Sequence, residues 1–455
     1  MPYYSPRYRY DPCPVKARGL ALYPRGCHLF GLFFCVLLLG CDRGDVSLLD
    51  PGDSVPEANS LSLKLVLSGE SGVLPASFGW PDGVPGVDVT LLRVRDLQDI
   101  GRTEGVTDAA GSVGFERLSR GLQWVTGFRW LEGAEEEALP VEWPVAVLAG
   151  GGKVPVTGAT DTILALRPPW LGTMVISEVA AGIPDQFETG GGYYGSLYLE
   201  LFNNGATTVF LDGMLLGKGY EAFFDYSRFG HHACVDSEPM RVDPEGLWAA
   251  RIWRFPGAGD QFPVSPGEAV VVAVSATDHT DIHPAMLDLT GADFEFLPSD
   301  LPFADNPTAP NLEDVGPEPF IYQAFFGTFN NWFLAAPTDI EILPRESDPA
   351  AGSALGVYEY VRIPTQNLLD VVHIWWDNAG SYTPNGADPI CEDPTNPAFD
   401  AVPGGFDTLH QPEISAQRLV VRARDGRIVL LDTDVSALDF VMQARTPGWI
   451  LEVAW

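Results

Sequence analysis

Lysine and arginine are scarce in this chain, 27 residues against 61 Asp and Glu, for a formal net charge of −34. Nucleic-acid binding draws its affinity from Lys and Arg that displace counterions from phosphate, so that class of partner is excluded. An anionic membrane surface is excluded as a direct docking partner on the same ground. Cysteine is sparse too, six in 455 residues. The apolar run Leu29–Gly40 (LFGLFFCVLLLG) is twelve residues long, short of the roughly 20 a helix needs to cross a bilayer. There is no Gly-x-Ser-x-Gly elbow and no His-Glu-x-x-His pair, so neither a hydrolase nucleophile nor a zinc-protease helix is signalled. The glycine runs Gly150–Gly152 and Gly190–Gly192 lack the strand–loop–helix setting of a phosphate cradle. Helical apolar spacing is uncommon. Instead, 48 Gly and 39 Pro punctuate β-branched and aromatic runs, the texture of a mostly β chain.

What is there begins with the leader. Arg18 and Arg25 precede the apolar run, and Asp42, Arg43 and Gly44 follow it. A run of this length fits the apolar region of a signal peptide. The tetrapeptide Leu38-Leu39-Gly40-Cys41 resembles the bacterial lipoprotein box. That resemblance implies lipid on the Cys41 sulfur, cleavage just before it, and 1–40 as the signal peptide. Removing 1–40 takes away five basic residues and one acidic one, leaving the chain more acidic still. Three cysteines then remain, Cys41, Cys234 and Cys391. With Cys41 lipidated, Cys234 and Cys391 either pair as a disulfide, which an oxidising compartment permits, or stay as two buried thiols. Residues 41–60 are rich in Asp, Gly, Ser and Pro and read as a flexible tether.

From Leu61 the chain alternates apolar and polar residues, as a half-buried strand does. Pro85–Val94 reads as a second strand, Asp108–Gly111 as a tight turn, and Leu122–Phe128 as a further strand. Pro85, Gly86, Val89 and Leu91, then Thr107, Asp108 and Gly111, then Phe115, Leu118 and Gly121 resemble the transthyretin-like, carboxypeptidase-regulatory type of β-sandwich. That resemblance covers 61–168 and implies a supporting module. Pro168-Pro169 marks a boundary. Beyond it, Val175, Ile176, Glu178 and Val179, then Tyr198, Glu200, Leu201, Phe202 and Asn203, then Val209, Leu211, Asp212 and Gly213 resemble the lamin-tail domain, an immunoglobulin-like sandwich. It is assigned to 169–296, with Val264–Val274 as its later strand and a long insertion at about 217–262. Residues 297–455 are expected to form a C-terminal β-rich region packed on that domain. The order of parts resembles an uncharacterised family of bacterial surface lipoproteins found beside uptake systems. The fold class expected is therefore mostly β, in tandem β-sandwiches.

Two groups of residues are candidates for chemistry. Asp278, His279, Asp281 and His283 (DHTDIH) combine donors that suit zinc, and on a strand positions 279, 281 and 283 would share one face. Pro284 follows, so a solvated loop is the competing reading. His231-His232 with Cys234 is weaker, because adjacent strand residues point to opposite faces. Aromatics are the second signal, and Phe223, Phe224, Trp248 and Trp253 of the insertion form the candidate binding face, since long loops on rigid sandwiches carry recognition. The expectation is a non-enzymatic, lipid-anchored binding or scaffold protein of the bacterial cell envelope, outer membrane favoured over inner, recognising an envelope protein or polysaccharide. No cofactor is expected. The alternative is a metal-dependent secreted hydrolase using Asp278–His283, with zinc there or calcium in the acidic loops.

Overall fold

The structure, a computed structural model, describes residues 59–68, 78, 80, 82–94, 100–140, 143–169, 171–180, 193–219, 246–283, 286–296, 303–317, 329–346, 357–376, 401–406, 413–433 and 435–449. The described body is nearly all β.

Seven strands build the first sandwich: β1 (Asn59–Leu67), β2 (Asp88–Val94), β3 (Ile100–Val106), β4 (Ser112–Leu118), β5 (Gly121–Trp130), β6 (Val147–Val156) and β7 (Ala159–Leu166). They form a three-stranded sheet, β4-β1-β7, and a four-stranded sheet, β3-β2-β5-β6. The alternation legible in β1 does its expected job: Leu61, Leu63 and Leu65 are buried while Ser62 faces solvent. They pack with Val89, Leu91, Val125, Leu148, Leu164 and Leu166. Each such side chain contributes roughly 1.5–3 kcal/mol on burial. The turn from β3 to β4, which passes from one sheet to the other, closes on Asp108, whose Oδ1 accepts from the N–H groups of Ala110 (2.8 Å) and Ser112 (2.9 Å). Gly111 sits there at φ 75°, where a Cβ would lie 2.5 Å from the Val84 nitrogen, so only glycine fits.

The second body uses β8 (Met174–Ala180), β9 (Tyr198–Asn203), β10 (Val209–Phe210), β11 (Leu215–Gly219), β12 (Gly246–Arg254), β13 (Pro263–Val264), β14 (Ala269–Ala273), β15 (Phe294–Glu295), β16 (Glu313–Asp314), β17 (Phe329–Ala335), β18 (Ile342–Glu346), β19 (Val357–Pro364), β20 (Leu368–Trp376), β21 (Ala401–Phe406), β22 (Ile414–Arg418), β23 (Val420–Arg422), β24 (Ile428–Leu430) and β25 (Phe440–Ala444). One sheet has six strands, β15-β14-β9-β8-β22-β25; the other has eight, β18-β19-β12-β11-β17-β20-β21 with β16 on β12. Ile176, Leu199 and Leu201 of the first meet Leu216, Trp253, Trp332 and Leu334 of the second in one buried cluster. Residues 169–296 and 297–455 thus share both sheets. They form one two-sheet body, not a sandwich with a separate region laid on it, because the edge of β8 left open by β9 is filled from the C-terminal segment by β22.

The two bodies are welded by apolar surface. Val145, Val147 and Ala149 of the first pack against Leu419, Val421, Val429 and Leu431. Arg424 reinforces the joint: its backbone N–H donates to the Pro144 carbonyl at 2.8 Å and its Nη1 to the Pro140 carbonyl at 2.9 Å.

Candidate functional site

The described residue pair least at home in its surroundings is Glu178 and Glu200. They lie directly opposite each other on β8 and β9, in fully buried and mostly apolar strands, and each is 1% exposed. Two carboxylates in a direct cross-strand pair repel. The protein meets this with donors. Ser177 Oγ donates to Glu200 Oε1 at 2.8 Å, and the Gly448 N–H to Glu200 Oε2 at 2.7 Å. Glu178 Oε1 accepts from Tyr198 Oη at 2.5 Å, from Ser415 Oγ, from Gln417 Nε2 at 3.2 Å and from the Thr446 N–H at 3.3 Å. A register shift in β8 between Ile176 and Glu178 brings Ser177 and Glu178 to this cluster together.

Burial, then the charge of Glu178, pushes the Glu200 carboxyl up to about 8, against the pull of its Ser177 and Gly448 bonds. Burial also raises Glu178, against its hydrogen bonds and the nearby Arg445 guanidinium. Tyr198 is held well above the ordinary phenol value by burial and by the Glu178 charge. The pair therefore retains a proton near neutral pH.

Above the pair opens a small cleft with room for about one water-sized sphere, lined by Ser177, Glu178, Glu200, Gln417, Arg418, Gln443 and Trp449 among others. Trp449 reaches its rim through the turn Thr446–Trp449, closed by Trp449 N–H to the Thr446 carbonyl at 2.9 Å, with Gly448 at φ 77°. Its side chain is 74% exposed.

Arg418, which also lines the cleft, is 3% exposed. Its Nη2 donates to both oxygens of Asp370 (2.9 and 2.8 Å), and its Nη1 to Asp432 (3.1 Å) and Asp439 (3.2 Å). Nε donates to the Ile176 carbonyl at 3.1 Å, and the guanidinium carbon stands 4.7 Å from the Phe440 ring centre. Since β22 carries Arg418 and β20 carries Asp370, this ion pair ties the two sheets together. Burial disfavours the Arg418 charge, but the three carboxylates outweigh it and hold the guanidinium above its usual value. Burial lifts Asp370 to about 7 even with Arg418 pulling it down, and lifts Asp439 well above the usual carboxylate range.

The structure disposes of the residues expected from sequence differently. Asp278 to His283 form a turn, so 279, 281 and 283 do not share a strand face. His279 is 1% exposed, and both its ring nitrogens are engaged by the protein. Nε2 faces the Ser275 carbonyl at 2.9 Å, which can only accept; Nε2 therefore carries the proton, and Nδ1 accepts from Tyr193 Oη at 2.8 Å. Asp278 is exposed and caps Thr280, Asp281 is exposed, and His283 is half-buried. Among the described residues no three His, Cys, Asp or Glu side chains converge as metal ligands. Trp253 is a correction of the expected binding face: it is 2% exposed, edge-on to Phe296 at 4.9 Å and tilted against Trp332 at 6.4 Å, because its position on β12 points into the inter-sheet core. Trp248 lies on the same strand with its side chain outside the described residues, as are Phe223, Phe224, Cys41, Cys234 and Cys391. Sequence reasoning named Glu178 and Glu200 only as motif positions of a resemblance. The signal it passed over was a lone glutamate within each of two strongly apolar strands.

Among known proteins, a family match falls in the C-terminal part of the chain. Residues 265–447 match the model of DUF4876, a protein of unknown function. The match takes in Arg418, Asp370, Asp432 and Asp439, ends two residues before Trp449, and leaves Glu178 and Glu200 outside. The chain is thus similar to an uncharacterised family that names no catalytic activity. No curated protein matches. Among solved structures, a DUF4876 family protein from Bacteroides thetaiotaomicron VPI-5482 is 15% identical, with 86% of this chain and 96% of that chain covered and a TM-score of 0.43. A DUF3823 family protein from Bacteroides uniformis ATCC 8492 is 8% identical, over 67% of this chain and 98% of that one, at a TM-score of 0.16.

Proposed function

We propose that this chain is a lipid-anchored, non-catalytic binding or scaffold protein of the bacterial cell envelope, recognising a protein or glycan partner. The observation that carries the reading is the order of its parts. An apolar leader ends at Cys41, a polar spacer follows to residue 60, and then come two sandwiches joined by buried apolar surface. A tether of that composition gives reach, and a welded body gives a rigid platform. The outer membrane is the favoured site of the anchor, and Cys234 with Cys391 is proposed as a disulfide of the exported protein. Cys41→Ser tests the reading. The parent protein is expected in the detergent phase on cloud-point partition, since two or more acyl chains give stable anchoring, and the variant uncleaved or in the aqueous phase. A variant that partitions like its parent overturns the anchor.

A further inference from the structure

We propose that the cleft beneath Trp449 receives a primary ammonium group on an alkyl stem, the side chain of a lysine presented by a protein partner. The inference rests on the binding reading above and gives it a chemistry.

The buried free hydrogen-bonding atom of the cleft is an acceptor. Oε1 of Glu178 takes four donors, while among the described residues none donates to its Oε2, although the side chain is 99% removed from solvent and lines the cleft. Gln443 Nε2 gives one of its two hydrogens to Gln417 Oε1 at 2.5 Å, and nothing among the described residues donates to Gln443 Oε1. Gln417 is occupied at both ends. An ammonium offers three donors and no acceptor, the complement of this surface.

Size separates the ammonium from a sugar. The cleft admits about one water-sized sphere, enough for an ammonium tip and too small for a pyranose ring. The exposed Trp449 ring at the rim can cover the methylene stem and face the charge. Two cations stand nearby, and both are engaged by the protein. Arg418 lines the cleft, but its Nε, Nη1 and Nη2 are all engaged, by the Ile176 and Leu431 carbonyls and by three aspartates. Arg445 is buried, with Nε on the Ile414 carbonyl at 3.2 Å and Nη1 on the Ser196 carbonyl at 3.3 Å. Asp293 adds negative potential toward Glu200. The net charge of −34 draws basic partners to the surface as a whole.

Proton balance follows. The Glu178–Glu200 pair, with Tyr198 donating to it, holds a proton near neutrality. An ammonium seated against Glu178 favours the ionised form, so binding releases that proton to solvent and tightens as pH rises toward about 8.

The experiment is calorimetric titration of the full protein with Nα-acetyl-lysine N-methylamide at pH 6, 7 and 8, in two buffers of different ionisation heat. The expected result is saturable binding, an enthalpy that depends on the buffer because a proton leaves, and affinity rising with pH. Glu178→Gln is expected to weaken binding by about tenfold or more, and Trp449→Ala severalfold with an unchanged melting temperature, since that ring is exposed. Equal binding of the Nε-acetylated probe, tighter binding of methyl glucoside, or indifference to Trp449→Ala overturns the proposal. Binding of cadaverine alone, without the lysine probe, overturns the assignment to a protein-borne lysine. The probe reads the cleft whether or not Cys41 is lipidated, so failure here and failure of the anchor are separate outcomes.

Discussion

Replacing Glu200 by Gln isolates the buried carboxyl pair, because the amide mimics the protonated acid. Its oxygen can keep the Gly448 N–H, and its NH₂ can donate to Ser177 Oγ, whose hydroxyl is free to turn. In the native protein Glu200 keeps its proton up to about pH 8, whereas an unfolded glutamate loses it near 4.5. Between those values the native state binds one proton more than the unfolded state. A folded value raised in this way gives stability that is complete below the unfolded value and is lost as pH rises through the folded one. At about 1.36 kcal/mol per pH unit, the whole interval corresponds to about 5 kcal/mol. Glu200→Gln removes that titration. Urea unfolding at half-unit steps from pH 5 to 9 should show the parent losing stability with a slope steeper than the variant's by up to about 1.4 kcal/mol per pH unit, with near-equal stability at pH 5. The variant should be the more stable protein at pH 9 by about 2–5 kcal/mol. Parallel slopes for the two proteins would refute the reasoning, because they would mean that Glu200 ionises alike folded and unfolded.

Two further substitutions probe the core beneath the cleft. Trp253→Ala should destabilise by about 3–5 kcal/mol in urea melts, as loss of a fully packed ring does, and should change binding only where the protein unfolds. Arg418→Met should cost about 3–5 kcal/mol at pH 8, because three buried aspartates lose their counter-charge. The loss should shrink at pH 5, where Asp370 and Asp439, both raised, take up protons; an equal loss at both pH values contradicts the ion-network account.

The sequence was most legible where burial is one-sided. In β1 the leucines alternate with polar residues, so strand, face and register could be read together. The Asp108–Gly111 turn was legible because its chemistry is local. β8 and β9 defeat that logic. All their residues are buried, since the six-stranded sheet is covered on both faces, one by the inter-sheet core and the other by the β23–β24 hairpin and by Ala276, Leu289 and Ala309. Without alternation, nothing marked Glu178 and Glu200 as facing each other. The partners that satisfy them, Ser415, Gln417 and Thr446, arrive from more than 200 positions away. His279 failed as a metal candidate for the opposite reason: residue type suggested chemistry, but the nearby Tyr193 and Ser275 claim both ring nitrogens. Trp253 illustrates the general bias, since a large aromatic on a central strand is more often core than contact.

The central claim is that an envelope-anchored body recognises a partner through the face around Trp449. Its most direct test is photocrosslinking in intact cells with p-benzoylphenylalanine at position 449, beside a control at the exposed Val106 of the first sandwich. The account predicts one discrete protein adduct from position 449, none from 106, and loss of the adduct when Cys41→Ser is combined with it. No adduct from 449, or the same adducts from both positions, would contradict it.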